Sequence, residues 1–495
     1  MNRPHLSAIV ADCSALTPSL YFRPDNADHT STASIPWGSP VEDTDARQFS
    51  GNPDLFVRIA ENALTVAGEL REDYFQSTLG LARSMSEEFR YGDGMYRIES
   101  VPLDEAEPCA VAFVDGGLSK IDVGLGVPLI VRAGIFRVKQ GERDMEKRET
   151  FDHFPLMLGQ LRGGLKANSK YGDVVRELVE LGALVTALED ERFSDIRLLM
   201  LHGPLQFVSG PFFEHWFYPE DFEQMLGMSE DRPHVLPVLE RFAGWCNACQ
   251  LHDTARCTKD ITAQHLPAVC MMAFLQDYVF KRAAEKDVLV CGVIERSFGR
   301  SITKYVVKRM LEHEPEVFSA LLKSLSIDSS SSGIQADAIL DATRYNDAVL
   351  LALALDRGEQ LAWYPVEPTL KIRDERTALF PAVQTTFVRT TAAKYPMRIE
   401  VAANYDAAQL SEIVSRSFEY ANLLPDYAFP IGLDIVDKFA AVPGWMTKAY
   451  RQLILAQYGR LLAGEYVDMN DVERLQMMVL TQGQGGRKRM NRPGV

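Results

Sequence analysis

The sequence predicts an α/β fold, a sheet core with helical additions at both ends of the chain, and three observations carry that prediction. Short apolar runs of strand length recur, CAVAFV (109–114), IRLLML (196–201) and VLVCGVI (288–294), and they end in the polar or glycine-bearing turns VDGG, LHGP and IERS. Longer stretches with apolar residues three and four apart lie between and around them, as amphipathic helices require. The 495 residues, 46% of them hydrophobic and 9% aromatic, supply enough apolar surface for a large core.

Taken in chain order, residues 24–52 are rich in Ser, Thr, Asp and Pro without a sustained apolar period, and read as a loop or linker. From Pro53 to Arg90, LFVRIAENALTVAGEL and YFQSTLGLARSM describe one long amphipathic helix. The strand at 109–114 is followed by a second extended segment, VPLIVRAGIFRV (127–138), a helix over 173–192, and the strand at 196–201. An aromatic and helical insertion occupies about 206–285, and its stretch FVSGPFFEHWFYPEDF either packs the insertion onto its own domain or stacks unpaired bases. The strand at 288–294 precedes a helix over 301–325. Then come a helix around Asp347, strands at 383–390 and 397–402, helices over 407–465, and the basic tail TQGQGGRKRMNRPGV. No internal repeat is visible.

Charge and composition narrow the class. A net charge of -16 argues against a whole-protein basic footprint for nucleic acid, though local patches bind phosphate inside acidic proteins. No apolar run approaches the roughly 20 residues of a bilayer helix, so no membrane partner is expected. The first residues, MNRPHLSAIVADC, make a poor secretory signal because His5, Asp12 and Cys13 break the apolar stretch, which places the protein in the cytoplasm. Seven cysteines without regular spacing read as reduced thiols. Cys246, Cys249, His252 and Cys257 are spaced C-x2-C-x2-H-x4-C, tighter than a zinc knuckle; helix-borne thiols and a structural zinc both remain open.

The chemistry would sit at strand ends, where open sheets place their sites. Asp115 closes a buried strand and is followed by two glycines: either a tight turn or a carboxylate for Mg²⁺ or Mn²⁺, since hard cations take oxygen ligands. Glu177 shares a helical face with Leu181, Leu184 and Leu188, and Glu180 lies beside it. Acids along an apolar stripe are solvated rim residues or need a cation. His202, at the end of the central strand, caps a turn, ligates a metal or carries a proton. Arg296, Arg300, Lys304 and Lys308, four apart, predict one basic stripe once the chain turns helical, a solvated face or a grip on DNA phosphates.

In order and spacing, FVDGG, the acidic helix, LLMLHGPL, the strand ending at IERS, YNDAVLLALALDRGEQ, YPMRIEVA and YAFPIGLDIVDKFA resemble the NurA nuclease family over about residues 105–445. The resemblance implies an RNase H-like, PIWI-like mixed-sheet core. It implies a Mn²⁺-dependent DNA nuclease, Mg²⁺ being the other candidate ion, acting as a homodimer with a HerA-type hexameric ATPase in DNA-end processing or antiviral defence. By resemblance Asp115 is the first metal-binding Asp, Glu177 or Glu180 the helical Glu, and Asp437 the late acid. Asp347 corresponds to another acidic position of the pattern. The resulting organisation is an N-terminal segment (1–52), a helical region (53–105), the nuclease domain (106–445) and a C-terminal helix with its tail (446–495).

This chain departs from the pattern in two places. Where the family carries Asp-Gly-Ser or Asp-Gly-Pro after the middle strand it has His202, and where many members have a Lys after the fourth strand it has Glu295-Arg296. An imidazole suits Mn²⁺ better than Mg²⁺. The alternative is therefore a catalytically impaired nuclease-fold adaptor or regulator of the translocase. Without a G-x-x-x-x-G-K-[ST] motif, the chain needs that separate ATPase.

Overall fold

The computed structural model describes residues 53–69, 76–103, 107–121, 129–158, 165–205, 216–217, 237–238, 241–242, 245, 266–313, 315–324, 345–366 and 379–465. The chain divides into two units between Gly68 and Glu69. What is described of the first is the helix α1 (Pro53–Glu69), on which Ile59, Leu64 and Val66 are exposed.

The second unit begins with α2 (Gln76–Tyr91) and the short strand β1 (Ile98–Ser100). Strands β2 (Ala110–Lys120), β3 (Leu129–Lys139) and β4 (Glu149–Leu158) form an antiparallel meander, with the helix α3 (Met145–Arg148) between the last two. Helix α4 (Leu165–Glu189) leads to β5 (Ile196–His202), which lies parallel to β2 on the side away from β3. A small ladder, β6 (Trp216–Phe217) with β7 (Leu266–Pro267), precedes α5 (Ala268–Glu285) and then β8 (Leu289–Ile294), parallel to β5. After α6 (Ser301–His313), α7 (Pro315–Ser324) and α8 (Asp347–Ala354) come β9 (Glu359–Leu361), β10 (Tyr364–Pro365), β11 (Val383–Val388) and β12 (Met397–Ala402). Helices α9 (Ala407–Ala421), α10 (Ile431–Ala440) and α11 (Gly444–Glu465) close the described chain. The ten-stranded mixed sheet runs β1-β9-β11-β12-β8-β5-β2-β3-β4, with β10 joined to β11.

Period-two alternation along β2 sorts its residues onto two cores. Ala110, Ala112 and Val114 join a cluster with Val174, Leu178 and Leu181 of α4 and Met272 and Leu275 of α5. Val111 and Phe113 join another with Leu198, Met200, Ile413 of α9 and Leu433 and Val436 of α10. Burying the Phe113 ring completely is worth roughly 2–3 kcal/mol. Gly432 makes the packing possible: a β-carbon there would stand 2.3 Å from that ring. Asp115, next in the odd-numbered series, is therefore delivered to the α10 face.

Several expectations change at the level of elements. Within the helix expected over 53–90 the described residues form α1 and α2, and within the one expected over 301–325 they form α6 and α7, the latter opening on Pro315, a residue suited to a first helical turn. Strand β4 contains Pro155, which hid it from a periodicity reading. It stands at the sheet edge, where a missing N–H is tolerated. Within 206–285, α5 is a core helix whose Cys270, Met271, Phe274 and Val279 are buried. Cys246, Cys249, His252 and Cys257, the linker at 24–52, the basic tail and all of 207–222 except Trp216–Phe217 lie outside the described residues. Among the described residues Cys109 and Cys291 are free thiols, Cys270 is buried, and no helix is long and apolar enough to cross a membrane.

Candidate metal centre

Two neighbouring parallel strands and one helix supply the centre. On β5, Leu198 and Met200 share the α10-facing core with Val111 and Phe113, so alternation sends His202 to the same side as Asp115. Its Nδ1 lies 2.8 Å from Asp115 Oδ2. Asp437 reaches in from α10, and one ligand atom from each of Asp115, His202 and Asp437 lies within 4.8 Å of the others. Asp115 is buried, His202 half-buried and Asp437 exposed, which leaves the cluster open on one side.

The turn after His202 is held from three directions. Gly203 N–H donates to Val293 O at 2.9 Å, Leu205 N–H donates to Glu400 Oε2 at 2.8 Å, and Gln276 Nε2 donates to Leu205 O at 2.6 Å. Glu400 is almost fully buried and salt-bridged to Arg398 at 2.7 Å. Phe429 faces the imidazole with ring centroids 5.2 Å apart. The His202 backbone is thus fixed by buried, satisfied partners.

Glu177 and Glu180 are placed differently from what the sequence led one to expect. They are brought not into the ligand cluster but under the opposite face of the sheet, on α4, both buried. Glu180 presses on Gly116, where a β-carbon would stand 2.5 Å from its Oε1; only glycine lets this carboxylate come so close to the residue next to Asp115. Arg176 compensates the pair, with Nη1 2.5 Å from Glu180 Oε1 and Nη2 3.5 Å from Glu177 Oε1. Sequence reasoning passed over Arg176, although its four-residue spacing from Glu180 was the available signal.

Electrostatics ties the two faces together. Burial, reinforced by the Glu180 charge, pushes the Glu177 carboxyl up to about 9, although Arg176 opposes it. Burial also raises Glu180 to about 7, with Arg176 pulling down and Asp115 pushing up. For His202, burial disfavours the imidazolium, but the hydrogen bond to Asp115 and the charges of Asp115, Asp437 and Glu180 outweigh it, and the ring titrates above its ordinary value. Burial and then repulsion from Asp115 raise Asp437. The centre holds more negative charge than its own side chains neutralise, the condition that favours a bound cation.

The donor set fits a divalent ion. Two carboxylates and an imidazole nitrogen converge within 4.8 Å of one another. Oxygen ligands with one nitrogen suit Mn²⁺, and the nitrogen weakens the case for Mg²⁺.

The remaining sequence candidates are only partly assembled. Helix α6 starts at Ser301, so Lys304 and Lys308 share an exposed helical face, whereas Arg296 and Arg300 precede the helix. Arg300 O accepts the Lys304 N–H at 2.9 Å, and Arg296 Nε lies 3.8 Å from Glu295 Oε2. Asp347 is buried and spent on the start of α6: its Oδ1 accepts from Thr303 N at 2.8 Å and from Thr303 Oγ1 at 2.7 Å. It caps a helix and is outside the ligand cluster.

No family model matches the chain, and no curated protein matches it either. Among solved structures, the NurA nuclease from Sulfolobus solfataricus is similar at 14% identity, covering 84% of this chain and 97% of that one with a TM-score of 0.43. A NurA structure with manganese is similar at 11% identity, over 72% and 90% of the two chains, with a TM-score of 0.32. One bound to dAMP and manganese shows 10% identity over 79% and 94%, with a TM-score of 0.30.

Proposed function

We propose that this chain is a metal-dependent DNA nuclease of the NurA type, Mn²⁺-dependent and built on an RNase H-like core. The observation that carries the reading is the convergence of Asp115, His202 and Asp437 at adjoining parallel strands and a crossing helix. The order and spacing of the sequence motifs support it. So does the strand order, an antiparallel meander with two further strands added parallel to its first member.

Asp115 and Asp437 hold the ion, with His202 as a nitrogen ligand or proton carrier. Bound there, a divalent cation lowers the pKa of water and neutralises charge on the scissile phosphate. With Nδ1 turned to Asp115, His202 keeps Nε2 to exchange a proton at the open side. Glu180, behind Gly116, sets the field at Asp115. Lys304 and Lys308, with Arg296 and Arg300 ahead of them, guide the DNA strand. The working assembly is a homodimer with a HerA-type hexameric ATPase. Asp115→Ala abolishes cleavage of linear DNA in Mn²⁺; undiminished cleavage would sink the assignment.

One observation favours a second reading. The 2.8 Å contact engages one Asp115 carboxylate oxygen with His202 Nδ1 inside the ligand cluster, as expected of an adaptor that has lost catalysis. His202→Asp separates the readings: if neither the variant nor the wild type cuts DNA with the ATPase present, the adaptor stands.

A further inference from the structure

We propose that Arg132 is the phosphate-gripping residue of this site, holding a backbone phosphate of the DNA strand beside the carboxylate cluster. The proposal rests on the nuclease reading and adds a substrate contact to it.

The register places Arg132 where such a contact belongs. On β3, Gly134 pairs with Asp115 and Arg132 pairs with Gly117. Arg132 is therefore two residues further along the ladder, about 7 Å from the Asp115 row. Residues 132 and 134 share a sheet face, and the open side of Gly134 meets Val436 of α10. Arg132 thus looks toward the helix that carries Asp437, and its guanidinium lies over the ring of Phe439, 5.1 Å from the centroid.

Its chemistry is that of a group awaiting an anion. Arg132 Nε is buried without a hydrogen-bond partner among the described residues. Burial alone depresses its pKa, with no carboxylate opposing. Other buried or partly buried guanidiniums have partners: Arg137 binds Asp195, Arg176 binds Glu180, Arg197 binds Glu412, Arg398 binds Glu400, and Arg389 donates to the carbonyls of Ala392 and Lys394. A partly desolvated cation without an anion carries a cost, and the fold retains this one two rows from the carboxylate cluster. Guanidinium matches phosphate with two parallel N–H···O bonds, and the Phe439 face holds the fork flat by a cation–π contact. A metal at the carboxylates and a guanidinium about 7 Å along the strand would engage neighbouring points of one phosphate backbone.

The test uses a labelled single-stranded oligonucleotide, fluorescence anisotropy across a salt series, and the full chain carrying Asp115→Asn so that nothing is cut. Adding Arg132→Gln is expected to weaken binding about ten- to hundredfold, and to flatten the slope of log affinity against log salt by about one. Arg132→Lys is expected to keep the slope while losing part of the affinity. In the chain with Asp115 intact, Arg132→Gln lowers kcat/KM for the same oligonucleotide. A purely structural role lowers the melting temperature without touching the salt slope, so an unchanged slope with unchanged affinity overturns the proposal while the nuclease reading survives. If the wild type neither binds nor cuts DNA, the nuclease reading falls and takes this proposal with it.

Discussion

Glu177→Gln is expected to make the protein more stable, by an amount that grows with pH. The carboxyl is buried beside Glu180 and its pKa rises from 4.5 to about 9. Below about pH 4.5 the group is protonated whether the chain is folded or not, and the substitution changes little. As pH climbs toward 9 the unfolded chain releases a proton that the folded chain must keep, so stability is lost across that window. At pH 7 the gap of about 2.5 pH units corresponds to roughly 3 kcal/mol, at 1.36 kcal/mol per unit. Glutamine, nearly isosteric and uncharged, removes that loss. In a chain of this size about 3 kcal/mol is a rise of roughly 3 °C in melting temperature. The assay is thermal unfolding in EDTA at pH 5, 7 and 8.5, with the wild-type difference near zero at the lowest pH and largest at the highest. A variant less stable than wild type at pH 8.5, or a pH-independent difference, would refute the reasoning. Repeating the series in Mn²⁺ asks whether Glu177 also serves the ion: a ligand role would turn the gain into a loss.

Two further substitutions bear on the site. Gly116→Ala forces a β-carbon against Glu180 at 2.5 Å, and is expected to cost about 1–3 kcal/mol and to reduce cleavage by displacing the strand beside Asp115; wild-type activity and stability in this variant would show that the close approach is dispensable. Asp347→Ala removes the cap on Thr303 and should lower stability by about 1–2 kcal/mol while leaving Mn²⁺ affinity unchanged; a loss of Mn²⁺ affinity would return Asp347 to the metal site.

What the sequence disclosed was mostly local. The polar end of an apolar run put His202 at the end of β5, and the helical period put Glu177 on an apolar stripe with Glu180 beside it. Asp115, expected to close its strand, instead sits in the middle of β2, because Gly116 and Gly117 stay paired with β3 and carry the strand on to Lys120. Helical period says which face of α4 is buried, but not which side of the sheet α4 covers, and that side separates the two glutamates from the ligand cluster. Asp437 could be joined to Asp115 only through resemblance, because more than three hundred residues lie between them and the contact depends on Gly432 settling α10 onto Phe113. Arg132 gave no signal in VPLIVRAGIFRV, where either of two arginines on a strand reads as an exposed side chain. Its meaning comes from the β2–β3 register and from Phe439. Asp347 shows the converse error, an acid at a suggestive position whose oxygen is taken by its neighbour's N–H and hydroxyl.

The central claim is that Asp115, His202 and Asp437 form one cation site, and calorimetric titration of Mn²⁺ into the full chain tests it most directly. Wild type should bind Mn²⁺, with Asp115→Ala and Asp437→Ala each abolishing or strongly weakening that binding while leaving the melting temperature in EDTA close to wild type. Mn²⁺ binding that survives both substitutions at wild-type affinity would contradict the account.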